Sequence, residues 1–532
     1  MQRMPSRILL LLLCLFPAAL TAQTIYHGEC LFFRANLPST IERLGNAYYL
    51  AGTSYASNWA TDAGCLMRIE EGGQTAWAKF YGGGTGDDHF YAMCRTQDKQ
   101  LAIVGGTESF AGAPGSLPNL YLLLVDSAGN LLRSRSLGTV QASEKGCSVK
   151  STFDNGLVIA GTRDSAGVLQ PFLLKTDANL NVQWFKVYSH PDFSGMEATA
   201  VVQTSDGGFA FTGYGTPATA PGVTWMAMQW TDAAGQPTQA RYFSYAQAGF
   251  TNHGVRGHDL IENTAGNLVA VGAVGGRYII NAQDIYSPLL VELTPGGNLA
   301  GAFAFSLNSG DGSAASVRQT YDGGYILGGT MGNYFAMMLK TDPAITTQWS
   351  YHYDFNLNPQ IRGRAVRLVP GGGFIFVGGF VSGTNIRLIQ TDPNGQSGCG
   401  QAVPSLGGAS GPVSLGMVTG NLLSHAIGDT FPANTLVVNS PNYCFNQCQS
   451  VATAEPLERA TLLLHPNPAR DRVQITSVGA DRLAVFNVNG ERIYHQRLDD
   501  RGTSSTPLDI TSWPAGIYLV RAGDATQKLI KP

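Results

Sequence analysis

The stretch Asp322–Thr330, DGGYILGGT, holds a tight turn, a short apolar strand and a closing glycine pair. Close relatives recur along the chain: DNGLVIAGT from Asp154, DGGFAFTGY from Asp206, DKQLAIVGGT from Asp98 and GGGFIFVGGF from Gly371. Looser copies are GNAYYLAGT from Gly45 and AGNLVAVGA from Ala265. The closing glycines fall at Gly52, Gly106, Gly161, Gly213, Gly272, Gly329 and Gly379, with gaps of 54, 55, 52, 59, 57 and 50 residues. Seven copies at a period near 50 mean a repeat architecture, not seven separate domains.

Each copy carries a second signal downstream, an apolar strand ending in an acidic turn. Examples are FLLKTDANLN from Phe172, MMLKTDPAIT from Met337 and IRLIQTDPNG from Ile386. An aromatic often follows, as at Trp77, Trp184 and Trp349. One unit therefore reads as four short strands joined by two tight turns and one variable loop. That is the content of a propeller blade. The fold expected is all-β: a seven-bladed β-propeller over residues 23–397. Its last unit lacks a fourth strand, and an apolar strand near Leu31–Arg34 is expected to complete it. The turn aspartates suit Asx turns, which explain them without calcium.

Composition narrows the rest. The chain has 532 residues, 13% of them charged, with a net charge of −3 and 65 glycines. That balance gives no electrostatic case for nucleic acid or an anionic membrane as partner. Residues 1–22 read as a secretory signal peptide: Arg3 and Arg7, then the apolar run Ile8–Phe16, then Ala18, Ala19 and Ala22. Beyond it no apolar run is long enough to span a membrane. Seven cysteines remain, and an exported chain permits disulfides. The candidates are Cys30, Cys399, Cys444 and Cys448, with Cys30 and Cys399 expected in one blade and Cys444 and Cys448 competing for Cys399.

Residues 398–460 read as short strands appended to the propeller, then a polar linker. Residues 461–532 form a second, smaller β module, a sandwich. HPNPARDRVQI opens it at His465, LAVFNVNGERIYHQ is a hairpin tipped by Asn489-Gly490, and LDITSWPAGIYLVRAGDATQKLI closes it. This segment resembles the type A C-terminal sorting domain of the type IX secretion system. The resemblance rests on Pro466, Asn467, Pro468, Gly490, Leu508-Asp509-Ile510, Gly516, Tyr518 and Lys528 in order. It implies an Ig-like sandwich, handling by the type IX machinery and its sortase, and removal of the domain. It also implies that the protein ends on the outer surface of a Gram-negative bacterium or is released from it. The repeats are in turn similar to the DGG propellers found ahead of such domains. They share the glycine doublet of kelch repeats at Gly105-Gly106, Gly328-Gly329 and Gly378-Gly379. Thr204-x-Asp206-x-Gly208-x-x-Phe211 resembles the sialidase Asp-box, a turn motif without catalytic groups.

No metalloprotease, nucleophile-elbow or phosphate-loop motif is present. No catalytic residue, metal or cofactor is expected. His253, His258 and Asp259 lack ligand spacing, and Asp87-Asp88-His89 sits at a position that recurs as Asp311, which reads as architecture. Arg95, Lys150, Arg318 and Arg367 fall on first strands, which line a propeller's channel, but other units place Val202 or Ile261 there. Variable loops on a rigid scaffold usually carry binding, so Tyr55, Trp59, Phe90, Phe110, Tyr278 and Tyr286 are the candidate ligand contacts. The sequence thus reads as an exported binding, adhesion or scaffold module for a glycan or protein ligand. The alternative is a secreted enzyme acting on glycans.

Overall fold

The computed structural model describes residues 23–31, 37–55, 61–111, 117–139, 141–280, 283–307, 311–332, 335–354, 361–380, 385–397, 401–404, 411–419, 423–426, 430–431, 436–440, 444–452, 461–478, 482–487, 492–498, 503–522 and 525–532. The described residues contain strands and no helix. The repeats build seven five-stranded antiparallel sheets. Their first strands are Leu37–Leu44, Asp88–Arg95, Ser143–Ser151, Phe193–Gln203, Phe250–Glu262, Gly312–Gln319 and Ile361–Leu368. Each first strand touches the first strand or its neighbours in the preceding sheet, and Leu37–Leu44 touches Ile361–Leu368. Seven sheets therefore follow one another in a closed circuit.

The two tight turns recur with one hydrogen-bond pattern. In Thr320–Gly324, Thr320 N donates to Gly324 O (2.8 Å) and Gly323 N to Thr320 O (2.9 Å). Asp322 Oδ1 accepts from Gly324 N (3.1 Å) and Thr320 Oγ1 (2.5 Å). Asp126, Asp177 and Asp392 likewise accept two backbone N–H groups of their own turns. These are the expected Asx turns.

One partner of these aspartates was not anticipated. The lysine of the second signal reaches back across the sheet: Lys340 Nζ donates to Asp322 Oδ2 (2.7 Å), Thr341 O and Gln348 Oε1. Lys175 does the same with Asp154, Thr176 O and Gln183. Both lysines are buried, while the aspartates are about half exposed. Burial pushes the Asp322 carboxyl up, but the hydrogen bonds from Lys340, Thr320 and Gly324 N, with the Lys340 charge, together outweigh it and hold the group below the usual range. The pair thus stabilises the fold above the ordinary aspartate range and stops doing so as pH falls below it. Asp322→Ala strands a buried ammonium and should cost roughly 1–3 kcal/mol at pH 7. Adding Lys340→Met should recover most of that in a denaturant titration, whereas a purely additive loss would show that the two groups do not interact.

Neighbouring sheets are locked through the second turn. Trp184 and Tyr188 lie on the fourth strand of the third sheet, and Gly235 (φ 72°) lies in the turn of the fourth. A Cβ on Gly235 would stand 2.8 Å from the Trp184 ring, and Tyr188 Oη donates to Gly235 O (2.9 Å). Trp77 and Tyr81 hold Gly129 in the same way, and Trp349 and Tyr353 hold Gly395.

The seventh sheet closes as expected, with a shift. Its fourth strand is Gln23–Leu31, which pairs with Asn385–Thr391 from Tyr26↔Gln390 to Leu31↔Asn385. The pairing strand thus begins before the apolar run that marked it, and residues 32–34 lie outside the described ones. The fifth strands come from the segment after the repeats. Gln401–Pro404, Gly411–Pro412, Gly416–Thr419, Leu423–Ala426, Thr430–Phe431, Leu436–Ser440 and Cys444–Ala452 pair in turn with sheets six, five, four, three, two, one and seven. The segment read as appended strands therefore runs back round the circuit and covers one outer edge per sheet. Open strand edges template association, so this cover protects all seven.

Residues 461–532 form a three-stranded and a four-stranded antiparallel sheet. Leu464, Val473 and Ile475 from one and Val485, Val520 and Leu529 from the other belong to one buried cluster. Residues 1–22, expected to be a signal peptide, residues 453–460, expected to be linker, Trp59, Cys399 and Gly490 lie outside the described residues.

Candidate functional site: a basic axial pocket

The closing glycines explain the site. In every sheet the first strand carries one extra residue opposite its partner, a β-bulge. The register jumps from Pro38↔Gly52 to Thr40↔Ala51, from Gly146↔Gly161 to Ser148↔Ala160, and from Gly257↔Gly272 to Asp259↔Val271. The same occurs opposite Gly105, Gly213, Gly329 and Gly378. At Gly105, Gly161, Gly213, Gly272 and Gly329 a Cβ would lie 1.7–2.1 Å from a first-strand carbonyl oxygen. Glycine is required there because the bulge fills the Cβ's place. In sheets two and seven it is Gly105 and Gly378, not their neighbours Gly106 and Gly379, that face the bulge.

A bulge re-aims side chains, and here it aims them at one cavity. The seven extra residues are Ser39, Tyr91, Cys147, Thr199, His258, Ala315 and Arg364, and all seven line one pocket of about 580 Å³. Arg256 and Arg362 stand two residues before their bulges, and Lys150, Arg318 and Arg367 three after; these too line it. Six cationic side chains thus share the cavity wall with two carboxylates, Asp259 and Asp311.

Two of the cations are neutralised. Arg318 Nη1 pairs with Asp259 Oδ2 (2.8 Å), which also accepts from Val317 N. Arg367 donates Nε and Nη2 to Glu42 Oε1 (3.1 and 2.6 Å). Burial raises both carboxyls, but the surrounding cations outweigh it, Arg367 first at Glu42 and Arg318 first at Asp259, so both stay ionised. The other four cations differ. Among the described residues Lys150, Arg362 and Arg364 have no hydrogen bond or ion pair from their side chains, and Arg256 has only the rings of Tyr214 and Tyr286, at 5.3 and 5.8 Å. Burial, then Arg318, pulls the Lys150 ammonium below the ordinary lysine range. His258 Nδ1 lies 2.9 Å from Ala314 O, and burial lowers its pKa, so it stays neutral above the usual histidine range. Burial pushes the Tyr91 phenol up to about 12 and the Cys147 thiol up to about 11. The pocket thus holds four positive side chains without ion pairs of their own among the described residues, Arg362 exposed and the other three partly buried, beside two phenol rings.

The expected contacts are redistributed. Tyr286 lines the pocket. Phe90 is fully buried, 5.8 Å from Tyr81 and 6.0 Å from Tyr121, so its ring fills the core and presents no surface. Phe110 packs on Tyr121 at 5.6 Å. Tyr278 packs on Phe250 at 5.2 Å, outside the pocket lining. Tyr55 ends the strand Ala47–Tyr55. Of the first-strand cations, Lys150, Arg318 and Arg367 converge, but Arg95 is exposed away from the pocket. Asp87 and Asp311 each accept a backbone N–H from the third strand of the preceding sheet, Asp62 N and Tyr286 N, which is the architectural role expected of them. Asp88 is buried among Thr107, Ser109 and Gly83 N. Arg256, Arg362 and Arg364 were missed. Their signal is a count of one residue to either side of the closing glycine's partner, which needs the strand register.

The C-terminal motif residues tie that module's opening to its last strand. Asn467 Nδ2 donates to Lys528 O (2.6 Å) and Asn467 Oδ1 accepts from Ile530 N (2.9 Å). Pro466 and Pro468 follow cis bonds, and Tyr518 Oη donates to Pro514 O. Gly516 opens the strand Gly516–Ala522.

Residues 463–532 match the secretion system C-terminal sorting domain. A sorting domain of this type implies handling by the type IX secretion machinery and delivery to the cell surface or the extracellular space. No curated protein matches the chain. Solved structures that resemble it include the polysaccharide lyase Uly1, at 10% identity and a TM-score of 0.44 over 67% of this chain and 90% of that one. A fungal alcohol oxidase of the AA5 family in complex with copper gives 12%, 0.45, 96% and 99%. The alpha-L-arabinofuranosidase ARB93A from Fusarium graminearum gives 9%, 0.39, 57% and 92%. No helix among the described residues is long and apolar enough to cross a membrane.

Proposed function

We propose that the seven sheets are the blades of a β-propeller, that the sorting domain is an Ig-like sandwich removed after export, and that the mature protein binds an acidic oligosaccharide in the axial pocket. The observation that carries the binding reading is the convergence of Lys150, Arg256, Arg362 and Arg364 without an ion pair of their own among the described residues, the nearby Asp259 and Glu42 being paired with Arg318 and Arg367. Partly buried cations left uncompensated favour a ligand that brings the missing negative charge. The rings of Tyr91 and Tyr286 offer apolar faces for a sugar ring between those charges. The two pocket carboxylates already accept protein hydrogen bonds, which favours binding over acid–base chemistry. The remaining candidates, Phe110 and Tyr278 among them, would then contact longer chains.

A screen of uronate-bearing, sulfated and neutral oligosaccharides should return only acidic binders, with affinity falling as salt rises. Tight binding of neutral glycans alone would overturn the reading. For export, deletion of residues 463–532 should leave the propeller folded but confined to the periplasm. Surface delivery of the truncated chain at the full-length level would contradict that role.

A further inference from the structure

The register of the seventh sheet places two cysteines face to face. The strand Gln23–Leu31 lies between Asn385–Thr391 and Cys444–Ala452, antiparallel to both. In the second pairing Cys30 is directly opposite Cys444, whereas Cys448 stands opposite His27. We propose that Cys30 and Cys444 form a disulfide that closes the propeller covalently.

Backbone geometry alone permits it. Directly opposed residues of an antiparallel pair have Cα atoms about 4.5 or 5.5 Å apart, depending on their place in the ladder. Both separations lie within the range of about 4.4–6.8 Å that a disulfide spans. The rival expectation, a bridge from Cys30 to Cys399, loses its basis in the path of the chain. The strand just after Cys399, Gln401–Pro404, pairs with the sixth sheet, not the seventh. Cys65, Cys94 and Cys147 are free, the first two buried in other sheets. Among the register pairs, Cys30 and Cys444 alone oppose one cysteine to another.

The position gives the bond its effect. Gln23–Leu31 begins the described circuit and Cys444–Ala452 ends the covering segment, so pairing between the two ends completes the seventh sheet. A cross-link there restricts nearly the whole propeller in the unfolded state, where the loop-entropy model places the largest gains. The chemistry is a two-electron oxidation. Two thiols release two protons and two electrons, a sulfur–sulfur bond forms, and the disulfide of a dithiol–disulfide oxidoreductase met outside the cytoplasm is reduced to its dithiol.

The test uses residues 23–532 purified from an oxidising compartment. Digestion without reduction by trypsin and then chymotrypsin, which cuts after Phe445, separates Cys444 from Cys448. The expected product joins the Cys30 peptide to the Cys444 peptide. Cys30→Ser should free the Cys444 thiol and lower the melting temperature by on the order of 5 °C. A reductant should lower wild type equally and leave the variant unchanged. A Cys30 that is free in the wild-type digest, or joined to Cys399 or Cys448, overturns the proposal, and this readout does not depend on any variant folding.

Discussion

Gly235→Val should be among the most damaging single substitutions in the seven-sheet circuit, costing about 3–5 kcal/mol at pH 7. Two separate penalties meet at this residue. Its φ of 72° lies in the left-handed region, where a side chain costs about 1–2 kcal/mol and a β-branched one more. Its missing Cβ would stand 2.8 Å from two ring atoms of Trp184, and overpacking of that kind costs about 1–3 kcal/mol. Gly167→Val separates the two. Gly167 has a φ of 83° but nothing within 4 Å of its Cβ position, so it should show the backbone penalty alone. Urea unfolding of both variants checks this. Equal losses at the two positions would mean that the Trp184 contact between neighbouring sheets contributes nothing.

The second large effect is on binding. Lys150→Met and Arg364→Met should each weaken an acidic oligosaccharide by roughly tenfold to a hundredfold, about 1.5–3 kcal/mol per charged hydrogen bond lost. Neither should lower stability, because neither side chain has a described protein partner to strand. Lys150→Met should stabilise the protein slightly at neutral pH. A lysine whose folded pKa is depressed binds fewer protons than in the unfolded chain over the interval up to its ordinary value, so stability rises with pH there. Arg367→Met is the contrast: it leaves the largely buried Glu42 ionised and unpaired and should lower stability as well as binding. Binding should also fall as pH rises through the lowered Lys150 value, since only the ammonium attracts the ligand. Lys150→Arg should remove that pH dependence. Affinity that is flat with pH in wild type would exclude Lys150 from the contact.

Much of the circuit was legible because it is written locally. Turn chemistry at Asp322, Asp206 and Asp392 and the glycine within each second strand repeat at nearly constant spacing, and a repeat needs no knowledge of pairing. The third-strand lysines Lys175 and Lys340 were in plain view in the KTD triplets, but their partner lies across the sheet in the other turn. The covering segment was recognised as short strands, yet all but its last strand span only two to five residues, too few to reveal which sheet they join. The pocket was harder still. Arg95 looked equivalent to Lys150 because both fall on first strands, but it stands one residue before its turn threonine, Thr96, where Lys150 stands two before Thr152, so Cys94 takes the Lys150 position and the strand's alternation turns Arg95 away. Phe90 looked like a loop aromatic because its connection is variable, but it falls one residue before the bulge and is turned into the core.

The account turns on where an acidic ligand sits. A crystal structure of the mature protein with the tightest uronate-bearing or sulfated oligosaccharide from the screen tests it most directly. The account predicts the ligand's anionic group between Lys150 and Arg364, with a sugar ring against Tyr286. Ligand density confined to the loops around Tyr278 and Phe250, with the pocket holding only water, would contradict it.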